Sequence, residues 1–565
     1  GLGSGRVLGG TLMISAAQFD TVNTLAQISG EKGKFGYTAS VSAMKSNRYL
    51  DQVSLDNLHN GGNLERGFGR VDYQPNGRDV FRFHFMAGRS SFQLANLRSQ
   101  HANGMAQRQG LEDASAMLGW VRTLSARSTF DVTASLRTAE ATLTPSAGDT
   151  PVTAEQRRRL TTLTLWNRFN TVRGAHTFKG GFDCQYFPVQ ERFRFAITDA
   201  GFNAPASEDF VETLLPHDLT RGGRVFDFAR RGAGALYTGF VQDSIRWGRW
   251  QMALGLRYDN YRFLVNGSQL QPRVGISYHL RETNTVFRAS YNRTYQTPPN
   301  ENLLLSSSVE ASALASPVVR AATGGLALIR PERQNFYEVG LQQGLAGRFS
   351  VNASFYHKNA RDQQDNDNFF NTGIIFPMTL ASIRVNGVEG RLVLPPWRGF
   401  SMTLSATHAR AISTPPFTGG LYLGSAAVDA LSAGPFVIDH DQKLSLQNVA
   451  QYSSRRGFFV TVTTRYDSGL VTNPSDPAEV AADPDYADLL PYVNLLSSPP
   501  RTRPRTVVDV ATGYEHKRND RKLWEVTLQT SNLTNRTALY NFQSLFVGTR
   551  VVQPRTVGVR MRWFF

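Results

Sequence analysis

Apolar and polar residues alternate with a period of two along almost the whole chain, which is the signature of extended strands with two unlike faces. In the last nine residues Val557, Val559, Met561, Trp563 and Phe565 share one face, while Gly558, Arg560 and Arg562 share the other. Residues 250–259 set Trp250, Met252, Leu254, Leu256 and Tyr258 against Gln251, Ala253, Gly255, Arg257 and Asp259. The same alternation separates Phe81, Phe83, Phe85 and Ala87 from Val80, Arg82, His84 and Met86, and it recurs at 35–42 and 130–137. Segments of this kind begin near residues 6, 22, 35, 66, 79, 113, 129, 159, 176, 234, 250, 271, 285, 334, 349, 383, 399, 441, 458, 505, 523 and 556, which makes 22.

The connections between these segments alternate as well. Gln74–Arg78, Gly248-Arg249, Arg281–Asn284 and Pro395–Arg398 are short, whereas 188–233, 296–332 and 468–504 are long. An even number of strands with short turns at one end and long loops at the other predicts an all-β fold, an antiparallel transmembrane β-barrel of about 22 strands. Its turns are expected in the periplasm and its loops outside, with both chain ends on the turn side. Repetition of short strands also suits a β-propeller. No signature recurs at about 40–50 residues, as blades would require.

Composition agrees with this reading. Hydrophobic residues make up 41% of the chain and mean hydropathy is -0.31. No run of about eighteen apolar residues is present, so the chain has no transmembrane helix. A barrel hides its apolar band in alternation, and the 36 Phe, 19 Tyr and 7 Trp supply that band and its rims. Trp120, Tyr186, Trp524 and Trp563 are expected in interface girdles. No linker or change of pattern divides residues 1–565, which are expected to form one barrel domain. The lone Cys184 shares parity with Phe178, Phe182 and Tyr186 and reads as a small hydrophobe.

Several phrases, taken in order, resemble the barrel of TonB-dependent outer-membrane receptors. They are Tyr237–Gly248 followed by Leu254–Asp259, Pro272–Tyr278, Phe287–Tyr291 with Thr297–Asn302, Arg330–Arg333 with Tyr337–Leu341, Val388–Gly390 and Ser531–Asn535. The terminal Phe565 completes the series, and the resemblance covers essentially the full length. It implies a receptor in the outer membrane of a Gram-negative-type bacterium, active in uptake of a bulky, scarce solute of the siderophore-iron, cobalamin or oligosaccharide class. The alternatives are a passive porin-like channel and a surface-binding or assembly protein without transport. The family also carries a secretory leader and a plug of about 150 residues that contacts TonB. This chain reaches its first strand almost at once, so truncation is expected, or a plug supplied elsewhere. An unplugged barrel of this strand number is expected to enclose a large aqueous opening.

Charge adds candidate partners. The formal net charge is +16. Arg157–Arg159, Arg230-Arg231 and Arg501–Arg505 lie in or beside the predicted outer loops, where lipopolysaccharide phosphates or an anionic ligand would meet them. Arg257, Arg273, Arg288, Arg391 and Arg465 have lumen parity, where they would pair with neighbouring or plug carboxylates, or attract an anionic solute. Arg293, Tyr295, Arg384 and His408 are added as ligand contacts in the lumen or at loop apices. Trp563 and Phe565 resemble the signal read by the barrel-assembly machinery. No nucleic-acid-reading module is present.

Catalytic and metal chemistry find little support. The chain has no HExxH, CxxC or GxSxG phrase, so no enzyme activity and no cofactor are expected. Asp439-His440-Asp441 is expected to open a strand, since neighbours on a strand face opposite ways. Asp365-Asn-Asp-Asn368 lacks the glycine and distal glutamate of a calcium loop.

Overall fold

The computed structural model describes residues 8–565 apart from 208–209, 325–327, 370–373, 421–422 and 545–546. Twenty-two antiparallel strands close on themselves: every strand pairs with its neighbours in sequence, and the first, Gly9–Ala17, pairs with the last, Thr556–Phe564. At the seam Ile14 lies opposite Met561 and Thr11 opposite Phe564. The expected start near residue 6 lies outside the described residues. A two-residue strand, Phe436–Val437, is added inside a loop against Ile412-Ser413.

The turns at one end are tight because the residues there accept left-handed backbone. Gly248, between the strands Phe226–Trp247 and Trp250–Arg262, has φ +59° with open space around its missing Cβ, so conformation rather than crowding selects glycine. Asn519 and Asp520 do the same work between Arg505–Arg518 and Arg521–Ser531, at φ 51° and 59°. Rings from successive strands form a girdle at this end: Phe35–Tyr73 at 4.7 Å, Tyr73–Phe81 at 6.4 Å and Phe81–Trp120 at 6.4 Å. Trp120 Nε1 donates to Asp79 at 3.0 Å, which settles the polar end of that ring at the rim.

Strand length varies around the barrel and shapes the other end. The strands Val152–Arg173, His176–Ile197 and Phe226–Trp247 have 22 residues each, and Phe349–Asn368 and Ile375–Trp397 have 20 and 23. A tilted strand crosses a bilayer with about 9–11 residues, so roughly half of each long strand stands above the membrane. Between the two tall groups the strands Trp250–Arg262, Asn266–Leu280, Thr285–Gln296 and Glu332–Leu345 have only 12 to 15 residues.

The polarity of the two faces inverts where the tall strands leave the lipid. In His176–Ile197, Phe178, Phe182 and Tyr186 face outward and are exposed to the bilayer, but the buried apolar residues above them, Phe187, Val189, Phe193 and Phe195, face inward. Outward positions there become Gln190, Arg192 and Arg194. The loop expected over 188–233 is therefore shorter, because 188–197 and 226–233 continue the two strands. The strand Ile375–Trp397 runs into the short turn expected at Pro395–Arg398, and the reversal itself sits at Arg398-Gly399.

These inward residues form a core inside the mouth. The Phe193 ring lies 5.1 Å from Phe369 and 6.1 Å from Phe376, although its strand is the ninth and that of Phe376 the sixteenth. A positive φ at Asp362 and a register break between Leu380 and Ser382 turn the sixteenth strand and its neighbour inward. The loop segment Asn300–Ser306 fills the space beneath, where Tyr261 Oη donates to Asn300 at 2.7 Å and Leu305 N donates to the buried Glu191 at 3.0 Å. A second core, with Val480, Leu489, Val493, Leu539 and Phe542, joins the loops 468–504 and 532–555.

Candidate functional site

The bore and its outer mouth are the places where this fold presents chemistry to a solute. In the bilayer band, outward side chains such as Leu254, Leu256 and Tyr258 are 45%, 42% and 45% exposed, so Arg257 and Asp259 between them line the bore. Arg257 is held by Asp259 on its own strand at 3.0 and 3.1 Å and reaches Thr238 at 3.3 Å. Asp259 also accepts from Thr238 at 2.5 Å and from Gln271 at 2.6 Å, so its charge is fully used by three neighbouring strands. Arg288 donates to Glu338 at 3.0 Å and to Asn352 at 2.9 Å. Arg465 donates to Asp509 at 2.6 Å.

The remaining two lumen arginines differ. Arg273 and Arg391 are exposed to the bore, and among the described residues neither makes an ion pair. Arg391 lies across from Asn352, the acceptor of Arg288, so Glu338, Arg288, Asn352 and Arg391 form a polar row over four consecutive strands with one cation left over. Arg273 lies across from Asn292 on the strand that carries Arg288. An unpaired guanidinium in a water-filled bore attracts an anion and offers it a planar pair of donors.

The other expected contacts are not gathered here. Tyr295 packs, half-buried, against the mouth core, and its hydroxyl sits over Gly267. Arg293, Arg384 and His408 face away from the bore. Arg293 has the parity of the lipid-facing Phe287, Arg384 that of Val388, and His408 lies directly opposite Val388. The alternation from Phe287 to Arg293 runs unbroken through Tyr291, so the outward direction follows from the same period that defines the strand. His408 Nδ1 is bonded to the carbonyl of Lys443.

The basic runs are also largely committed to the fold. Arg157 and Arg159 face outward and share Glu140, at 2.7 and 2.6 Å. Arg158 faces inward and donates to Asn302. Arg230 meets Glu310 of the 297–331 loop at 3.0 Å. Arg501 is buried on Asp441 at 2.5 Å, Arg503 donates to the carbonyl of Val493 at 3.2 Å, and Arg505 pairs with Asp467 at 2.9 Å. Asp439-His440-Asp441 does not open a strand: the next one begins at Ser445, and Asp441 clamps Arg501 while Asp439 contacts His440 at 2.9 Å and Ser544. Among the described residues no group of three His, Cys, Asp or Glu side chains is arranged to hold a metal.

Sequence reasoning missed Glu191 and Gln156 and read Arg158 only as part of a loop-side basic run, whereas all three anchor the loop segment inside the mouth. Their signal was the switch of apolar parity at Tyr186-Phe187. Above it, polar inward residues are exceptions within an apolar face.

At the assembly end of the chain, Phe565 N donates to Gly10 O at 3.1 Å and Phe565 O accepts from Gly10 N at 2.9 Å. Its ring covers Gly10, where a Cβ would come within 2.3 Å of the ring. Trp563 lies opposite Trp524.

Comparison with known proteins places this architecture. Residues 46–533 match the family described as TonB dependent receptor-like, beta-barrel. The solved structure of the copper transporter OprC superposes with a TM-score of 0.70 at 12% identity, covering 99% of this chain and 81% of that one. The ferric-catecholate import receptor Fiu of E. coli K12 gives 0.67 at 12% identity, over 99% and 80%. The ferric yersiniabactin uptake receptor FyuA of Yersinia pestis gives 0.67 at 12%, again over 99% and 80%. No curated protein matches by sequence. With a family match that runs from Ser46 to Leu533 through a closed barrel of 22 strands, the chain belongs to the TonB-dependent receptor β-barrels of the Gram-negative outer membrane.

Proposed function

We propose that this barrel takes up a bulky, scarce and anionic solute actively, with the TonB complex acting on a plug contributed from outside residues 1–565. Those residues would then form a single barrel domain. The observation that carries the reading is the construction of the mouth: the tall strands and the 297–331 loop build an inward core over one part of the opening. Such a roof supplies the shaped recess that a receptor needs to hold its ligand before transport. Within the siderophore-iron, cobalamin and oligosaccharide class, metal chelates fit best, because Arg273 and Arg391 stand unpaired in the bore and the similar structures include receptors named for ferric chelates and a copper transporter.

Uptake of labelled ferric chelates, cobalamin and an oligosaccharide by cells producing the protein, with and without an uncoupler of the proton gradient, tests this. Saturable accumulation of a chelate that the uncoupler abolishes is expected. Uptake that is linear in concentration and indifferent to the uncoupler would establish a passive pore instead.

A further inference from the structure

The outward face above the lipid band carries two groups of arginines, and only one of them is mostly neutralised. On the wall from Gly62–Tyr73 to Phe226–Trp247, most of the charges pair with each other: Arg89 with Glu65 at 2.6 Å, Arg157 and Arg159 with Glu140, Arg192 with Asp227 at 3.2 Å and Arg194 with Glu155 at 3.3 Å, which leaves Arg108 and Arg231 as separated exceptions. On the wall from Thr285–Gln296 to Phe400–Thr418, Arg293, Arg333, Arg361, Arg384 and Arg410 are all exposed. Among the described residues none of these five makes an ion pair.

Register places them together. Arg293 lies across from Asn335, Asn335 from Asn359 and Asn359 from Arg384, which makes one row over four strands. Two residues further from the membrane, Arg333, Arg361 and Ser382 form the next row. Two residues nearer to it, Tyr337, His357, Asn386 and Arg410 form the row below. No carboxylate interrupts these rows. The floor between the arginines is ordered by Tyr291 Oη donating to Asn335 at 2.9 Å, and by His357 bridging Asn386 at 2.6 Å and Asn359 at 3.0 Å. Strands about 4.8 Å apart put Arg293 and Arg384 about 14 Å apart, and the rows climb about 7 Å per step. Directly beneath lie the lipid-facing Phe287, Val339, Phe355 and Val388.

We propose that this face docks an outer-leaflet glycolipid whose headgroup bears two phosphates, with its acyl chains on the apolar band and its phosphates among the five arginines. Guanidinium groups match phosphate oxygens with paired donors. The patch is wider than one phosphate can bridge, and an occupant anchored in the same leaflet meets it without leaving the membrane. The inference depends on the orientation of the barrel and not on the solute it carries.

Native mass spectrometry of the detergent-purified protein titrated with bis-phosphorylated lipid A, and with the same lipid after enzymatic removal of its phosphates, tests this. The triple variant Arg293→Gln, Arg361→Gln, Arg384→Gln should lose more than about tenfold in affinity, and the parent's affinity should fall steeply with salt. An equal charge change on the opposite wall, Arg157→Gln, Arg159→Gln, Arg192→Gln, should leave binding within about twofold, because those guanidinium groups are already paired. Heat-modified gel migration checks that each variant is folded, and the single change Arg384→Gln serves if the triple is not. Parent-like lipid A binding by the folded triple or single variant would overturn the proposal. So would equal binding of the phosphate-free lipid by the parent, or an equal loss in the opposite-wall variant.

Discussion

Replacing Asp441 by alanine should open the 468–504 loop while leaving the barrel closed. Asp441 is buried at the base of the mouth, where one oxygen meets Arg501 at 2.5 Å and the other accepts from Ala411 N at 2.8 Å. Arg501 is itself buried and also donates to the carbonyls of Asp441 and Gly469, at 3.0 and 3.1 Å. Removing the carboxylate strands a buried guanidinium, at a cost of about 3–5 kcal/mol. The orphaned Ala411 amide alone accounts for about 1–3 kcal/mol, and the two figures overlap rather than add. At 1.4 kcal/mol per tenfold, the local opening equilibrium should rise between about 10² and 10⁴-fold.

The amides that report it are Thr472 N, bonded to Pro500 O at 2.9 Å, and Thr502 N, bonded to Leu470 O at 2.9 Å. Hydrogen exchange at these positions should accelerate accordingly, while amides in the bilayer band of Trp250–Arg262 keep their protection. The double change Asp441→Leu, Arg501→Met should recover much of the loss, since no charge is then buried. If exchange at Thr472 and Thr502 changed by less than about tenfold in Asp441→Ala, or if the double variant lost the sum of the two single losses, the ion pair would not be what holds this loop.

Deleting Phe565 removes the backbone pair with Gly10 and the ring over it, so outer-membrane insertion, read from heat-modified migration of membrane fractions, should drop far more than in Arg560→Gln; equal folded yields would remove the assembly role. In a planar bilayer, a preparation of this chain alone should conduct with a preference for anions that shrinks as salt rises, and Arg273→Gln with Arg391→Gln should reduce that preference; a silent bilayer or unchanged selectivity would reject the free-arginine bore. The Asp439 hydrogen bond holds the half-buried His440 above its ordinary 6.5. A raised folded value means that this contact stabilises its loop fully below the ordinary value and is lost as pH rises through the raised one, so proteolysis near His440 should accelerate as pH rises above its ordinary value in the parent but not in His440→Gln.

The barrel was legible in the sequence because lipid enforces alternation, and the accuracy of the reading follows the lipid. Strand starts on the turn side, such as 35, 79, 176, 250, 285, 349 and 458, coincide with those observed. On the loop side, starts expected at 159, 234 and 383 are observed at Val152, Phe226 and Ile375. Above the bilayer the outward face meets water and the inward face meets a core, so a rule tuned to apolar-outward strands reads the extensions as loops. Arg257, Arg288 and Arg465 were placed in the bore by parity alone, but which lumen arginines are satisfied depends on partners such as Glu338 and Asp509, brought close by pairing 44 to 50 residues apart. Arg293, Arg384 and His408 carry ligand-binding chemistry on the face that their own parity turns away from the bore.

The inversion at Tyr186-Phe187 means that one continuous hydrogen-bonded sheet serves two solvents with opposite dress codes. Below that level a substitution to arginine is tolerated on the inside and ruinous on the outside, and above it the tolerances exchange. A crown transplanted onto another barrel should therefore be cut at the inversion, between Tyr186 and Phe187 and at the matching heights of the neighbouring strands, where both halves already agree on which face is oily. A cut at the visible ends of the strands would carry buried phenylalanines away from the core that hides them.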